Sequence, residues 1–105
     1  MRISQEFFPK VKTYIGFAIK SKAVAIGTDN ILSAKGVKLI ILDEALSENS
    51  ASKLKAKAQK ESTKIIFTDS LGELSSRESL KAIGIKNAQL AEAITSTIVL
   101  SDKES

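Results

Sequence analysis

Cysteine and histidine are both absent from this chain, and the two absences together remove most metal and nucleophile chemistry. Without them there is no Cys- or His-ligated zinc, no iron–sulfur cluster, no thiolate nucleophile and no imidazole acid–base pair. No disulfide framework is possible, so nothing argues for an oxidising compartment. Tryptophan is missing too, and proline occurs once. The aromatics are Phe7, Phe8, Tyr14, Phe17 and Phe67, so the core must be built from Ile, Leu, Val and Ala. No apolar run approaches the ~20 residues of a membrane span, and the opening Met1-Arg2-Ile3-Ser4-Gln5-Glu6 has no long apolar stretch. A soluble, cytoplasmic protein with no membrane contact is expected.

What is present suits one domain over residues 1–105. Apolar residues make up 43% and charged residues 27%, an ordinary balance for a chain that packs a single core. The net charge of +4 is unevenly placed. Residues 1–60 carry eleven Lys/Arg against five Asp/Glu, and residues 61–105 five against seven. Basic charge gathered in one part of a small domain suits a polyanion such as RNA or DNA, although a lysine-rich solvated surface has the same composition.

Periodicity predicts an alternation of helix and strand. Residues 7–20 form an amphipathic helix with Phe8, Val11, Ile15, Ala18 and Ile19 on one stripe, and Pro9 falls in its first turn, where no N–H is needed. Ala23-Val24-Ala25-Ile26 reads as a buried strand ending at Gly27. Thr28 is expected to cap a helix over residues 29–35 that Gly36 stops. Residues 37–42 are nearly continuous in β-branched and aliphatic side chains, as in a strand covered on both faces. Ser47 caps a helix to about Glu61, with Leu54 and Ala58 inward and Lys53, Lys57 and Lys60 outward. Residues 64–68 form another strand. A helix is expected from Ser75 or Ser76 through Leu80 and Ile83 to Gly84. Residues 88–95 are read as a strand because the alternation calls for one, although Leu90 and Ile94 are spaced as in a helix. Residues 101–105 are expected to fray. The fold class is therefore α/β, a three-layer α/β/α sandwich.

Candidate chemistry is sparse. The turn Ile26-Gly27-Thr28-Asp29-Asn30 sets backbone N–H groups at a helix start, a generic anion site, yet Thr28 and Asp29 can equally be plain caps. Ser21-Lys22 reads as a solvated turn. Asp43 and Glu44 would point to opposite faces of a strand and make no acid–base pair. An enzyme is not expected, and neither is a metal or other cofactor.

The stretch Tyr14-Ile15-Gly16-Phe17-Ala18-Ile19-Lys20-Ser21-Lys22-Ala23-Val24-Ala25-Ile26-Gly27, then Val37-Lys38-Leu39-Ile40-Ile41-Leu42, then Ser47-Glu48-Asn49-Ser50, resembles the L-seven-Ae/L-thirty-e ribosomal protein family in order and spacing. The resemblance spans roughly residues 7–95. It implies a mixed four-stranded sheet between helices, and binding of RNA kink-turns or related internal loops by a ribosome-associated protein. The family's Gly-x-Asn-Glu-x-x-Lys segment docks on sheared G·A pairs. Here the Gly is Gly27, and the Asn, Glu and Lys positions hold Asp29, Asn30 and Ser33. Asp29 accepts but cannot donate, and it brings negative charge towards phosphate. Ser33 has neither the reach nor the charge of lysine. Of the family's acidic pair after the central strand, Glu44 matches and Ala45 replaces the Asp. Of its Leu-Gly-x-x-x-Gly helix pattern, read onto residues 79–84, Gly84 remains, after a loop at residues 69–76 that looks long.

Two readings follow. In the first, the chain binds structured RNA, ribosomal RNA foremost, as a monomer. Gly27, Thr28, Asp29, Asn30, Ser33, Glu44 and Gly84 then mark the family's edge, and Lys20, Lys22, Lys35 and Lys38 bind phosphates. In the second, the same fold is a protein-interaction module that has lost kink-turn binding, with Leu46 in its surface.

Overall fold

The computed structural model describes Ile3 and residues 5–104, with side chains for Ile3 and residues 6–98. After a 3-10 turn at Gln5–Phe7, the elements are α1 (Phe8–Lys20), β1 (Val24–Ile26), α2 (Thr28–Ser33), β2 (Leu39–Asp43), α3 (Glu48–Glu61), β3 (Lys64–Thr68), α4 (Leu71–Ser75), β4 (Ala82–Ile85) and α5 (Ala88–Glu104). The four strands form one mixed sheet in the order β1-β4-β2-β3. β2 runs parallel to β3 and antiparallel to β4, which is antiparallel to β1. β1, β2 and β3 therefore all point the same way.

Alternation along β2 separates two cores. Leu39 and Ile41 pack with Val11, Ile15 and Ala18 of α1, Leu71 and Leu74 of α4, and Ala91, Ile94 and Ile98 of α5. Ile40 and Leu42 pack on the other face with Ile31 of α2 and with Leu54 and Ala58 of α3. Helices thus cover both faces of the sheet, which is the expected three-layer sandwich. These aliphatic side chains of β2 are fully buried, and each such group contributes ~1.5–3 kcal/mol. Among the described residues no helix is long and apolar enough to cross a membrane.

Local signals set several elements as expected. Pro9 lies at the start of α1. The Ser47 hydroxyl accepts from the Ser50 N–H at 3.3 Å and starts α3. β3 has the bounds read from sequence.

Other segments differ. Gly27, not Thr28, caps α2, with φ +88, a backbone region that glycine enters without strain. α2 ends at Ser33, where Ala34 turns extended, and Gly36 (φ +75) bends the chain later, on its way to β2. β2 is shifted along the chain from the predicted 37–42 and takes in Asp43.

The larger correction lies between residues 69 and 95. The supposed long loop contains α4. The predicted helix over residues 75–84 is instead a turn and then β4, and the predicted strand over residues 88–95 is the start of α5. Ala82, Ile83, Gly84 and Ile85 are all buried and sit between β1 and β2. A short apolar run flanked by polar residues looks alike in either state, and pairing on both edges decides for strand. With β4 in place, the alternation itself requires a helix next, and Leu90, Ala91, Ile94 and Ile98 supply the helical spacing. α5 carries the backbone to Glu104, within the tail expected to fray, whose side chains and Ser105 lie outside the described residues. Leu46 is half-buried against the α2–α3 core rather than open on a surface.

Residues 79–84, read as part of a helix, lie in a turn and in β4. In α4, Leu71-Gly72 opens the helix and Ser76, at φ +59, takes the left-handed position that ends it. A β-carbon on Gly72 would lie 2.8 Å from the backbone oxygen of Glu78. Helix propensity favours alanine over glycine by ~1 kcal/mol, but a backbone oxygen cannot rotate away as a side chain can. Gly72→Ala is therefore expected to destabilise by a net ~1–3 kcal/mol, seen as a lower midpoint in thermal unfolding. A raised midpoint would show that residues 76–81 yield freely.

Candidate nucleic-acid interface

Because β1, β2 and β3 run in one direction, the connections divide between two ends of the sheet. At the C-terminal end lie the β1–α2 turn, the β2–α3 loop, the β3–α4 loop and the approach to β4. Backbone bonds tie these together: the Gly27 N–H donates to Ala82 O, Asp43 N–H to Lys81 O and Glu44 N–H to Thr68 O. At the other end lie the α1–β1, α2–β2, α3–β3 and β4–α5 connections, joined by Lys38 N–H to Ile85 O and Lys86 N–H to Ala23 O.

This division splits the predicted site. Gly27, Thr28, Asp29, Asn30 and Glu44 stand at the C-terminal end. Lys20, Lys22, Lys35 and Lys38 stand at the opposite end, about 17 Å away along the length of β2. Ser33 falls at the far end of α2. Gly84 belongs to neither end: it is buried inside β4, opposite Ala25 and Ile40, with Val37 lying over it. It packs the sheet and presents nothing to a ligand.

The C-terminal end offers little to a phosphate. α2 has six residues, and Asp29 already puts a carboxylate in its first turn. Asn30 and Ser33 are turned onto the backbone. The Ser33 hydroxyl donates to Asp29 O at 3.1 Å and to Asn30 O at 3.3 Å. The Asn30 amide donates to Ile26 O at 2.7 Å. Ladder bonds to β4 are made by Ala23 and Gly27, so the carbonyl of Ile26 between them faces away from the sheet. Asn30 thus covers an open strand edge. Glu44, Asp69, Glu73 and Glu78 are exposed at this end, with Arg77, Lys81 and Lys12 among them.

Asp43 has a structural role. Buried at the end of β2, its carboxylate accepts from the Ala45 N–H at 2.8 Å and from the Leu71 N–H at 3.1 Å. One oxygen shapes the β2–α3 loop and the other holds the first N–H of α4.

The opposite end is basic. Lys20, Lys22, Lys35, Lys38, Lys64 and Lys86 are all exposed there, and none forms an ion pair among the described residues. The carboxylates on adjoining elements are Glu61, which pairs with Lys57 at 2.6 Å, and Glu92 of α5. Lys64 and Lys86 were missed from sequence because each reads as a flanking charge until strand order brings it beside the others. Screening at physiological salt acts over ~8 Å, so the acidic end does not neutralise the basic one.

No protein-family model matches the chain, and no curated protein matches it. Solved structures of similar fold include the following two. One is a protein of unknown function from Bacillus halodurans, with a TM-score of 0.76 and 19% identity over 83% of this chain and 94% of that one. The other is the Giardia lamblia 15.5kD RNA binding protein, with a TM-score of 0.74 and 13% identity over 93% of this chain and 92% of that one. At these identities the likeness is one of fold.

Replacing Asp43 by alanine would leave the buried Leu71 N–H without its acceptor. Asp43→Ala is expected to cost ~1–3 kcal/mol, a fall of several degrees in the melting temperature. Asp43→Asn, which keeps one accepting oxygen, should lose less. Equal stability of Asp43→Ala and the native chain would refute this role.

Proposed function

We propose that the chain is a non-catalytic protein that binds structured RNA, with ribosomal RNA as its partner, and that phosphate is held at the lysine-bearing end of the sheet. The observation that carries this reading is the gathering of unpaired lysines at one end, distant from the carboxylates of the other. The likeness in fold to the Giardia RNA binding protein supports it. Lysine contacts to phosphate release counterions, so the affinity they give falls steeply with salt.

A second reading has its own observation. At the edge where the resembling family reads kink-turns, Asp29 brings a negative charge, and Asn30 and Ser33 are tied to the backbone. Such an edge suits a protein partner or another target better than sheared G·A pairs.

Two titrations test these readings. With ribosomal RNA fragments, binding should weaken steeply between low and moderate salt. Changing Lys20, Lys22, Lys35 and Lys38 to Gln should flatten that dependence by ~0.7–0.9 in logarithmic slope for each phosphate no longer neutralised, without unfolding the domain. Affinity that ignores salt would overturn the RNA reading. With a standard kink-turn, the native chain should bind weakly. The triple variant Asp29→Asn, Asn30→Glu, Ser33→Lys should gain roughly tenfold or more, at ~1–3 kcal/mol for each base interaction restored. Losing the Asn30 bond to Ile26 O should lower that variant's stability by ~0.5–1.5 kcal/mol. Tight binding by the native chain would show that the three substitutions are harmless, and failure of both chains would favour the protein-partner reading.

A further inference from the structure

Phe17 is 56% exposed, and among the described residues it is the one large apolar side chain left open. It lies on α1 off the buried stripe of Val11, Ile15 and Ala18, so helical geometry directs it away from the core. A single exposed phenylalanine needs no explanation by itself. Its neighbours make it informative.

Phe17 opens onto a hollow of about 550 Å³ where the end of α1 meets the start of α5, lined also by Lys20, Ser21, Asn87, Gln89 and Leu90. Phe17 and Leu90 give it an apolar floor. Two rim groups are already committed: the Ser21 hydroxyl donates to Ala18 O at 3.2 Å, and Asn87 Oδ1 accepts the Leu90 N–H at 2.9 Å. The Lys20 ammonium, the Gln89 amide and the Asn87 Nδ2 group stay open. The hollow belongs to the basic end, with Lys22 and Lys86 on the adjoining turns.

An aromatic face, free amides and surrounding unpaired cations together match one class of ligand. Nucleobases stack on aromatic side chains whatever their identity, amides pair with their edges, and lysines follow the backbone. A base inside a duplex has both faces covered by its neighbours, so an unpaired base fits here and a paired one does not. We infer that the hollow between α1 and α5 takes an unpaired RNA base stacked on Phe17, with Lys20, Lys22 and Lys86 holding the flanking phosphates. The site lies at the opposite end of the sheet from the Gly27 turn. It rests on the RNA-binding reading and adds to it the kind of RNA, one that offers a looped-out or bulged nucleotide.

The test compares an RNA hairpin carrying an unpaired purine loop with a fully paired RNA duplex of equal length. Both are titrated by fluorescence anisotropy against the full chain at several salt concentrations. The native chain should prefer the hairpin. Phe17→Ala should weaken hairpin binding about tenfold or more, leave the salt slope unchanged and leave duplex binding unaffected, and Phe17→Trp should restore hairpin affinity. Lys20→Gln and Lys86→Gln should instead reduce the salt slope on both RNAs. An unchanged melting temperature for Phe17→Ala separates loss of stacking from loss of fold. Equal hairpin binding by Phe17→Ala and the native chain, or an equal loss on both RNAs, would overturn the stacking site while the lysine effects preserved the RNA reading. If the native chain bound neither RNA, both proposals would fall, and an acidic peptide would become the candidate occupant of the hollow.

Discussion

Leu39, Ile40, Ile41 and Leu42 have no exposed surface, and the strand they form is paired on both edges, to β3 in parallel and to β4 in antiparallel fashion. A strand in that position must be apolar on both faces and must leave no backbone group unpaired. The other elements take their places from it. Its odd residues call for α1, α4 and α5 on one side, and its even residues for α2 and α3 on the other. A shift of register by one residue would exchange the two sets and send Leu39 into the wrong core. At its end Asp43 extends the same constraint into the loops by holding Ala45 and the start of α4.

The direction of β2 also decides where charge goes. Lysines at residues 20, 22, 35, 38, 64 and 86 are scattered along the chain, yet this topology brings them all to the same end of the sheet. The carboxylates at residues 29, 44, 69, 73 and 78 adjoin the other end. A polar distribution of this kind contributes little to stability, since exposed charges at such separations interact weakly. It does decide which surface a polyanion approaches.

The fold rests on a few local features: Gly27 at positive φ, the apolar central strand, the Ser47 cap, and Gly72 where a β-carbon has no room. Within α2, the Ser33 hydroxyl donates to carbonyls of its own helix. Asn30 has a different employment, covering the carbonyl of an edge strand.

Sequence alone was enough for several local signals, though not for the cap and stop of α2. The amphipathic period of α1, the serine that caps α3, the bounds of β3 and the doubly apolar run of β2 all follow from residues within a few positions of one another. The three-layer class follows from their alternation. The sequence was silent where neighbours in space decide. Residues 80–85 suit a helix as well as a strand until β1 and β2 pair with them, and that one misreading also reversed the state assigned to residues 88–95. Half of the predicted site was scattered for the same reason. A set of lysines and a glycine turn carries no information about which end of a sheet each occupies. Strand order and direction supply it, because hydrogen-bonded pairing joins residues tens of positions apart, and no window along the chain contains both partners.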